Sequence, residues 1–323
     1  MAKKSNKKGQ KGKSKGIWAL LLTIAAILYY VVEVAQISFT GEDPTQSETP
    51  VQTPAKTPAK TAPPVQPTPQ KQHKTQKKDK TQKKSGAVAQ LEIPALGNKV
   101  PGQILSYKGF TVSYNKNTRL PNWVAYELTA TEVAGDLPRK DKFRPDPAAK
   151  GPQANKEDYR NSGWDRGHMA PAADMKWSTE AIEESCYFTN ICPQNPQLNG
   201  GDWKDLEEQC RKWADKYGNL YIACGPIILN NEHGTIGANK VVIPDKFYKV
   251  VLARINGEYK GMGFIFHNSP LRKSKISGKP PVSRPLESYL VSIDEVETIT
   301  GIDFFPALPA DTQNRVESSK MMF

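Results

Sequence analysis

The ten residues Asn161-Ser162-Gly163-Trp164-Asp165-Arg166-Gly167-His168-Met169-Ala170 place a histidine two positions after an arginine. A neutral histidine can take a proton from water near pH 7, and the permanently charged, fork-shaped guanidinium of Arg166 can hold a phosphate. Gly167 has no side chain, so we expect a bulky anionic substrate to approach the backbone there. The pattern predicts a catalytic site. The alternative is a surface turn that contains an ordinary histidine.

The residues on either side of this run favour the catalytic interpretation. Residues 159–163 precede Asp165-Arg166-Gly167-His168, and residues 170–174 follow it. In this order the motifs resemble the signature of the DNA/RNA non-specific endonucleases, the endonuclease G-like ββα-metal nucleases. The resemblance continues upstream through residues 139–146 and downstream from residue 189 to residue 207. It covers most of the chain after about residue 95.

The resemblance implies an α+β fold, a ββα-metal nuclease domain with a central antiparallel sheet. Two strands and a helix would bring His168 next to Asn199. By resemblance, Asn199 is the one direct protein ligand of Mg²⁺, for which Mn²⁺ could substitute. Because an amide is neutral, the ion would keep its double charge for the phosphate and the leaving oxygen. The implied substrates are DNA and RNA of any sequence, cut to leave 5′-phosphate ends.

Other site residues follow from the same resemblance. His168 would act as the general base, and Glu207 would hold a metal-bound water. Three arginines match family positions that contact phosphate or stabilise the transition state, namely Arg139, Arg166 and Arg211. Asn190 and Gln194 match positions close to the site that would support it, and a purely structural role is the alternative for either.

Apolar patterns predict strands on both sides of the motif and short helices between them. The predicted strands are Phe110–Tyr114, Trp123–Leu128, Phe247–Ile255 and Tyr259–Phe266. Asn256-Gly257 between the last two predicts a hairpin with a type I′ turn. Short helices are predicted at Ser178–Ser185 and Ile293–Thr300.

A longer helix is predicted from about Gly200 to Tyr217. Five residues fall on one stripe and are expected to pack: Trp203, Leu206, Cys210, Trp213 and Tyr217. Glu207 and Arg211 are four apart, and so are neighbours beside that stripe. With Asn199 at the helix start, the three would line one edge next to His168. Asp165 is expected to orient Arg166 or a local turn, and the effect of Asp202 stays open.

The N-terminal region predicts a membrane tether. Residues 1–16 contain seven lysines, and residues 17–38 are apolar and long enough to cross a bilayer. The positive-inside rule keeps residues 1–16 cytoplasmic, so the nuclease domain, residues 89–323, would be extracytoplasmic. Residues 39–88, rich in Pro, Thr and Lys, predict a disordered linker. The alternative is a cleaved signal peptide, which would leave the domain secreted.

The net charge of +12 is concentrated in this tether. Residues 1–86 contain 16 lysines and five acidic residues, which leaves a net charge of +1 for the rest. We therefore expect local arginines and one metal ion, not a broad basic face, to hold nucleic acid. Two alternatives stay open: an envelope-anchored nucleic-acid-binding protein that has lost catalysis, and a phosphodiesterase acting on another phosphorylated polymer. The oligomeric state is also open.

The remaining cysteines and histidines carry no motif. An extracytoplasmic compartment permits disulfides between Cys186, Cys192, Cys210 and Cys224, and free buried thiols are the alternative. The cysteine spacings are not those of a zinc site. His233 and His267 are expected to be ordinary surface or core residues.

Overall fold

The computed structural model describes residues 90–97, 100–139, 142–269 and 284–323. The predicted tail 1–16, anchor 17–38 and linker 39–88 lie outside the described residues. Across the ranges that are described, we find no helix with the length and apolar composition needed to cross a bilayer.

The strands lie on both sides of the motif, as predicted, and one further strand lies within it. In the described part of the chain they are β1 (Ala95–Leu96), β2 (Gln103–Ser106), β3 (Thr111–Asn115), β4 (Leu120–Thr129), β5 (Asp165–His168), β6 (Ile191–Gln194), β7 (Asn219–Ile227), β8 (Thr235–Ile236), β9 (Val241–Val242), β10 (Lys246–Ile255), β11 (Glu258–His267), β12 (Leu290–Val291) and β13 (Ile302–Asp303). Seven of them form one antiparallel sheet in the order β12-β11-β10-β7-β4-β3-β2. The predicted central antiparallel sheet is confirmed.

The helices lie mainly between these strands. Over the same described ranges they are α1 (Ala130–Val133), α2 (Lys156–Tyr159), α3 (Thr179–Ser185), α4 (Pro196–Asn199), α5 (Asp202–Tyr217), α6 (Ile293–Thr300) and α7 (Ala310–Glu317). Short 3₁₀ turns occur at Phe188–Asn190 and Leu286–Tyr289. The predicted helices near residues 179 and 293 are confirmed, and each starts where a serine side chain accepts a backbone N–H: Ser178 for α3 and Ser292 for α6.

Apolar residues cover both faces of the large sheet. On one face Ile222 and Phe264 belong to a core that also contains Leu206 of α5. On the other face Val250 shares a core with Val296 of α6. Because alternate residues of a strand point to opposite faces, strands covered on both sides are apolar along most of their length. The central strands are thereby fixed between two helical layers.

The hairpin of β10 and β11 forms in the predicted register. Lys246 pairs with His267 at the open end and Ile255 with Glu258 at the turn. Asn256 and Gly257 have φ angles of 52° and 86°. Two consecutive residues with positive φ are what a type I′ turn requires, so the prediction from Asn256-Gly257 is confirmed.

The longest helix starts later than predicted. It begins at Asp202, not Gly200, and Asn199 is the last residue of the separate one-turn helix α4. Pro196 at the first turn of α4 and the side chain of Asn195, which accepts two backbone N–H groups, start that extra turn. The predicted stripe of α5 is buried except for Tyr217, which is partly buried against Phe323.

The four cysteines are buried thiols. Cys186, Cys192, Cys210 and Cys224 are all buried and none forms a disulfide. The alternative of buried thiols is therefore the one that the structure supports.

Candidate active site

The strand pair β5 and β6 carries the motif. Asp165 pairs with Gln194, and His168 pairs with Ile191. Since alternate residues of a strand share a face, Arg166 and His168 lie on one side of β5. Arg166 is exposed, whereas His168 is 8% exposed. The strand thus presents a guanidinium at the surface beside an imidazole set into the protein.

Phe143 links these two side chains. Its ring lies 5.2 Å from the His168 ring, centroid to centroid, and the Arg166 guanidinium carbon lies 4.7 Å from the Phe143 centroid. Phe143 is itself buried and packs against Phe188. The sequence prediction missed Phe143 as a site residue, although it belongs to the upstream segment that carries the family resemblance.

Asn199 contacts β5 at Asp165, whereas the neighbour expected from the sequence was His168. Its Nδ2 donates a hydrogen bond to Oδ2 of Asp165 over 2.9 Å. The expectation that Asp165 orients Arg166 or a local turn is therefore incomplete, because its carboxylate holds the Asn199 amide. This contact joins the end of α4 to the strand that carries His168.

Asn190 fixes the backbone just after His168. Its side chain accepts a hydrogen bond from Ala170 N and donates to the carbonyl oxygens of Ala170 and Ser185, over 2.8 to 2.9 Å. Its own carbonyl accepts from Met169 N over 3.0 Å. Asn190 is fully buried. The structural alternative for this residue is the one that its contacts support.

The missing side chain of Gly167 makes room for Gln194, whereas we expected it to make room for substrate. A Cβ atom at this position would lie 2.7 Å from Cβ and 2.8 Å from Cδ of Gln194. The space above Gly167 is therefore filled by the Gln194 side chain and not left open for substrate. Gln194 is fully buried, and neither of its amide atoms has a hydrogen-bond partner among the described residues. Gln194 thus packs across the strand pair behind the histidine.

Arg211 pairs with Asp174 and not with its helix neighbour Glu207. Its Nη1 lies 2.7 Å from Oδ1 of Asp174, which is fully buried. The other carboxylate oxygen of Asp174 accepts a hydrogen bond from the Tyr126 hydroxyl over 3.0 Å. The carboxylate of Asp174 therefore fixes the position of Arg211, and the sequence did not predict Asp174 as a site residue.

Glu207 lies in the same electrostatic cluster. Burial raises the pKa of Glu207 to about 8, and the neighbouring Asp174 adds to the effect. Lys249 and Arg211 oppose it. The cluster thus contains two acidic groups, Asp174 and Glu207, and two basic groups, Arg211 and Lys249.

The structure also describes other residues that were predicted for the site or left open. Arg139 is exposed and adjoins residues 140 and 141, which are outside the described ranges. Asp202 is buried at the start of α5, where it accepts hydrogen bonds from the Tyr289 hydroxyl and from Arg284 N. It anchors the segment before β12 to the start of α5. His233 contacts the Trp164 ring at 5.4 Å.

Comparison with known proteins agrees with this geometry. The profile of the DNA/RNA non-specific endonucleases matches residues 88–311. The chain belongs to the DNA/RNA non-specific endonuclease family. The expectation drawn from the motifs around Asp165-Arg166-Gly167-His168 is thus confirmed.

Several named relatives fall in this family. The mitochondrial nuclease EXOG of Xenopus laevis is 36% identical over 219 residues, which cover 64% of this chain and 59% of the relative. The mitochondrial endonuclease G of Homo sapiens is 31% identical over 237 residues, which cover 70% and 75%. The chain spans less than two thirds of the length of the EXOG nucleases that it matches.

A solved structure of an EndoG/EndoGI complex, described as showing the mechanism of EndoG inhibition, has the same fold. Its TM-score is 0.58 at 27% sequence identity, covering 66% of this chain and 90% of that chain. Members of the DNA/RNA non-specific endonuclease family are metal-dependent in general, so the residues around Asn199 can be tested for their fit to an ion.

The donors around Asn199 fit a hard divalent cation. Because Nδ2 of Asn199 donates to Asp165, the amide oxygen Oδ1 is the atom that could bind a cation. An amide oxygen is one of the hard oxygen ligands that Mg²⁺ accepts.

Proposed function

We propose that this protein is a metal-dependent nuclease that hydrolyses phosphodiester bonds of DNA and RNA without sequence preference. The observation that carries the proposal is the contact between Asn199 and Asp165, because it ties an amide suited to Mg²⁺ to the strand that presents Arg166 and His168. Family membership supports nucleic acid as the substrate. Mn²⁺ is proposed as a substitute for Mg²⁺.

His168 is proposed as the general base. It takes a proton from water, and the resulting hydroxide attacks phosphorus while the bond to the leaving 3′ oxygen breaks. The 3′ oxygen takes a proton from water as it leaves, and His168 returns its proton to solvent, so the products are a 5′-phosphate and a 3′-hydroxyl. Phe143 supports this role, because its packing against the imidazole limits the rotation of the ring. General base catalysis of this kind contributes about 10²- to 10⁴-fold in rate.

Arginines are proposed to bind the phosphate. Arg166 is exposed beside His168 and is held by Phe143, so its fork is available to a phosphate oxygen. Arg211 is oriented by Asp174 and is proposed to stabilise the charge that develops in the transition state. Arg139 is proposed to contact phosphate further along the strand.

Asn199 is proposed to hold Mg²⁺ through its amide oxygen, and Glu207 to hold a water bound to that ion. When bound, the ion neutralises charge on the phosphate and the leaving oxygen and makes its bound waters more acidic. Asn190 and Gln194 are proposed to keep β5 and β6 in place, as their burial suggests.

A plasmid-degradation assay tests this function. We expect the wild-type protein to degrade plasmid DNA and RNA with Mg²⁺ and to stop when EDTA is added. Asn199→Ala should lose most of the activity, whereas Gln197→Ala, an exposed amide on the same helix α4, should keep it. DNA binding without cleavage under all conditions would favour a binding protein that has lost catalysis. Cleavage of another phosphorylated polymer, with nucleic acid left intact, would favour the other alternative.

The tether is a separate proposal. We propose that residues 17–38 anchor the protein in a membrane and that residues 39–88 hold the nuclease outside the cytoplasm. The run of lysines before the apolar segment and the absence of Lys and Arg within it support this orientation.

A further inference from the structure

The last two helices of the domain bring three carboxyl groups together. Asp294 and Glu297 lie three positions apart on α6, and Glu317 is the last residue of α7. Each offers a carboxylate oxygen, and the three oxygens lie within 4.8 Å of one another. Residues three apart share one face of a helix, so α6 presents two of the carboxylates and α7 presents the third.

Packing against β11 fixes this arrangement. Both helices pack over Gly261, where a Cβ atom would lie 2.5 Å from Cγ1 of Val316 and 2.8 Å from Cδ1 of Ile293. Each of these two apolar residues directly precedes a member of the carboxyl cluster. Glu297 is also held by a hydrogen bond of 2.7 Å from Phe304 N to its Oε1. The fold itself therefore brings the carboxyl groups together.

Glu317 is the buried member of the cluster. It is 5% exposed, and its Oε1 is buried with no hydrogen-bond partner among the described residues. A buried carboxylate oxygen without a partner is costly, because it has lost its hydration and gained nothing in return. Asp294 is exposed and Glu297 is half-buried, so the cluster opens to solvent at Asp294. A small ion can therefore reach the cluster from solvent.

The basic side chains at this end of the chain are directed elsewhere. Arg315 on α7 donates a hydrogen bond to the carbonyl oxygen of Tyr259 over 3.2 Å. Lys320 lies 3.5 Å from Glu295, outside the cluster. Over the described ranges, no salt bridge includes a member of the cluster. The negative charge of the three carboxylates is therefore not neutralised by a neighbouring lysine or arginine of these ranges.

We propose that Asp294, Glu297 and Glu317 bind a divalent cation, with Ca²⁺ as the expected ion, and that this ion ties α7 to α6. Oxygen ligands lie about 2.3–2.6 Å from Ca²⁺, so oxygens on opposite sides of one ion are about 5 Å apart. Three oxygens within 4.8 Å of one another therefore fit around a single Ca²⁺. Ca²⁺ also accepts irregular geometry and water ligands, whereas Mg²⁺ demands a near-ideal octahedron.

The proposed cation site lies apart from the proposed catalytic site. Val296 of α6 and Val316 of α7 belong to the core on one face of the large sheet. Leu198 of α4 and Leu206 of α5 belong to the core on the other face, and Asn199 adjoins Leu198. The inference therefore goes beyond the proposed function and does not rest on it. We expect the ion to stabilise the fold and not to take part in cleavage.

Thermal melts of the full-length protein at pH 8.5 test the proposal. At this pH the carboxyl groups are mostly ionised, since burial raises the pKa of Glu297 and of Glu317 only to about 7. The melting temperature is compared between CaCl₂ at about 10 mM and EGTA with NaCl at the same ionic strength, so that screening cancels. For a Kd of about 10⁻⁴–10⁻³ M, Ca²⁺ should raise the melting temperature by about 3–10 °C.

Two variants remove ligands and two serve as controls. Asp294→Asn and Glu317→Gln should each at least halve the shift caused by Ca²⁺, because affinity depends on the number of charged ligands. Asp311→Asn removes an exposed carboxylate of α7 outside the cluster and should keep the wild-type shift. Asn199→Ala should also keep it, because the proposed catalytic ion binds elsewhere. Each shift is measured within one variant, so differences in stability without Ca²⁺ do not enter.

Three results would overturn the proposal. The first is a wild-type melting temperature that is the same with Ca²⁺ as with EGTA and NaCl, and the second is a wild-type shift in both Asp294→Asn and Glu317→Gln. The third is loss of the shift in Asn199→Ala, which would assign the effect of Ca²⁺ to the proposed catalytic site. A protein that shows the predicted shifts but cleaves no phosphodiester would contradict the proposed function alone.

Discussion

Phe143 lies between the two side chains that define the proposed chemistry. A guanidinium over one ring and an imidazole beside it, both within about 5 Å, are held by a residue that does no chemistry itself. Sequence reasoning could identify His168 and Arg166 because their chemistry is visible in the residue types. It could not identify Phe143, since that contact joins positions more than twenty residues apart.

Replacing Phe143 tests whether this packing matters for the reaction. We expect Phe143→Leu to lower kcat about 10- to 100-fold, because misplacement of a catalytic group by a fraction of an ångström to an ångström costs that much. Phe264→Leu, a core change against Trp213 away from β5, should lower the melting temperature but keep kcat. Equal kcat values for the two variants would refute the role of Phe143.

The close approach of Gly167 and Gln194 gives a second residue-scale prediction. Gly167→Ala should lower the melting temperature by several degrees, because overpacking of this kind costs about 1–3 kcal/mol. The double variant Gly167→Ala/Gln194→Ala should recover part of the loss in a thermal melt. If Gln194→Ala and Gly167→Ala are simply additive, the two side chains do not compete for the same space.

The partner of Arg211 could not be predicted from the sequence, whereas the burial of Lys249 could. Spacing along α5 predicted that Arg211 would lie beside Glu207, but the salt bridge goes to Asp174, which the helix period cannot reveal. Lys249 carried a usable signal. It lies within an apolar run, between Tyr248 and Val250, that was predicted as a strand, and such a run is typical of a strand buried on both faces.

At the scale of elements, α6 and α7 meet at a cluster of carboxyl groups. Asp294, Glu297 and Glu317 place carboxylate oxygens within 4.8 Å of one another. Burial raises the pKa of Glu317 to about 7, and the neighbouring Glu297 adds to the shift. The folded protein therefore binds this proton more tightly than the unfolded chain does. The stabilisation is complete below about pH 4.5 and is lost as the pH rises through 7.

Glu317→Gln should reverse this loss. We expect the variant to raise the melting temperature by a few degrees at pH 8.5 and to change it little at pH 5, as measured by differential scanning calorimetry. Glu295→Gln is the matched control on α6, because a backbone hydrogen bond from Ser292 lowers the pKa of Glu295. That variant should be destabilised at pH 8.5. A Glu317→Gln variant that is less stable at pH 8.5 would contradict the account.

The order strand, strand, helix at the site was predictable, whereas the break between α4 and α5 was not. The hairpin around Asn256-Gly257 and the stripe of α5 follow from local patterns, whereas the strand at residues 165–168 was expected only from the family resemblance. The break between α4 and α5 depends on two residues. The Asn195 side chain caps the start of α4, and Gly201 is the N-cap residue of α5, so that the two helices do not join into one. Because of that break, Asn199 lies outside the long helix, and its side chain forms a hydrogen bond with Asp165.

At the scale of the whole molecule, the net charge is distributed unevenly along the chain. The lysine-rich residues 1–86 carry nearly all of the net charge, and the nuclease domain is close to neutral. We therefore expect the domain to depend on a few arginines to hold phosphate. Salt should weaken its binding to DNA with a shallow slope, since that slope scales with the number of phosphates neutralised.

The proposed tether makes a prediction for the intact chain. In cell fractionation, the full-length protein should sediment with membranes and resist a carbonate wash, because a spanning helix is inserted effectively irreversibly. Replacing Leu20, Leu21 and Leu22 with arginine should release it, since each arginine in a bilayer costs about 2.5–3.5 kcal/mol. Recovery of the wild-type chain in the wash would remove the anchor from the account.

The general-base role of His168 is the claim on which the proposed reaction depends. Chemical rescue tests it most directly: the initial rate of plasmid cleavage by His168→Ala with Mg²⁺ is measured as imidazole is added. We expect a rate about 10²- to 10⁴-fold below wild type without imidazole and a saturable increase with it, strongest above pH 7 where imidazole is neutral. A His168→Ala protein that cleaves at the wild-type rate without imidazole would contradict this mechanism.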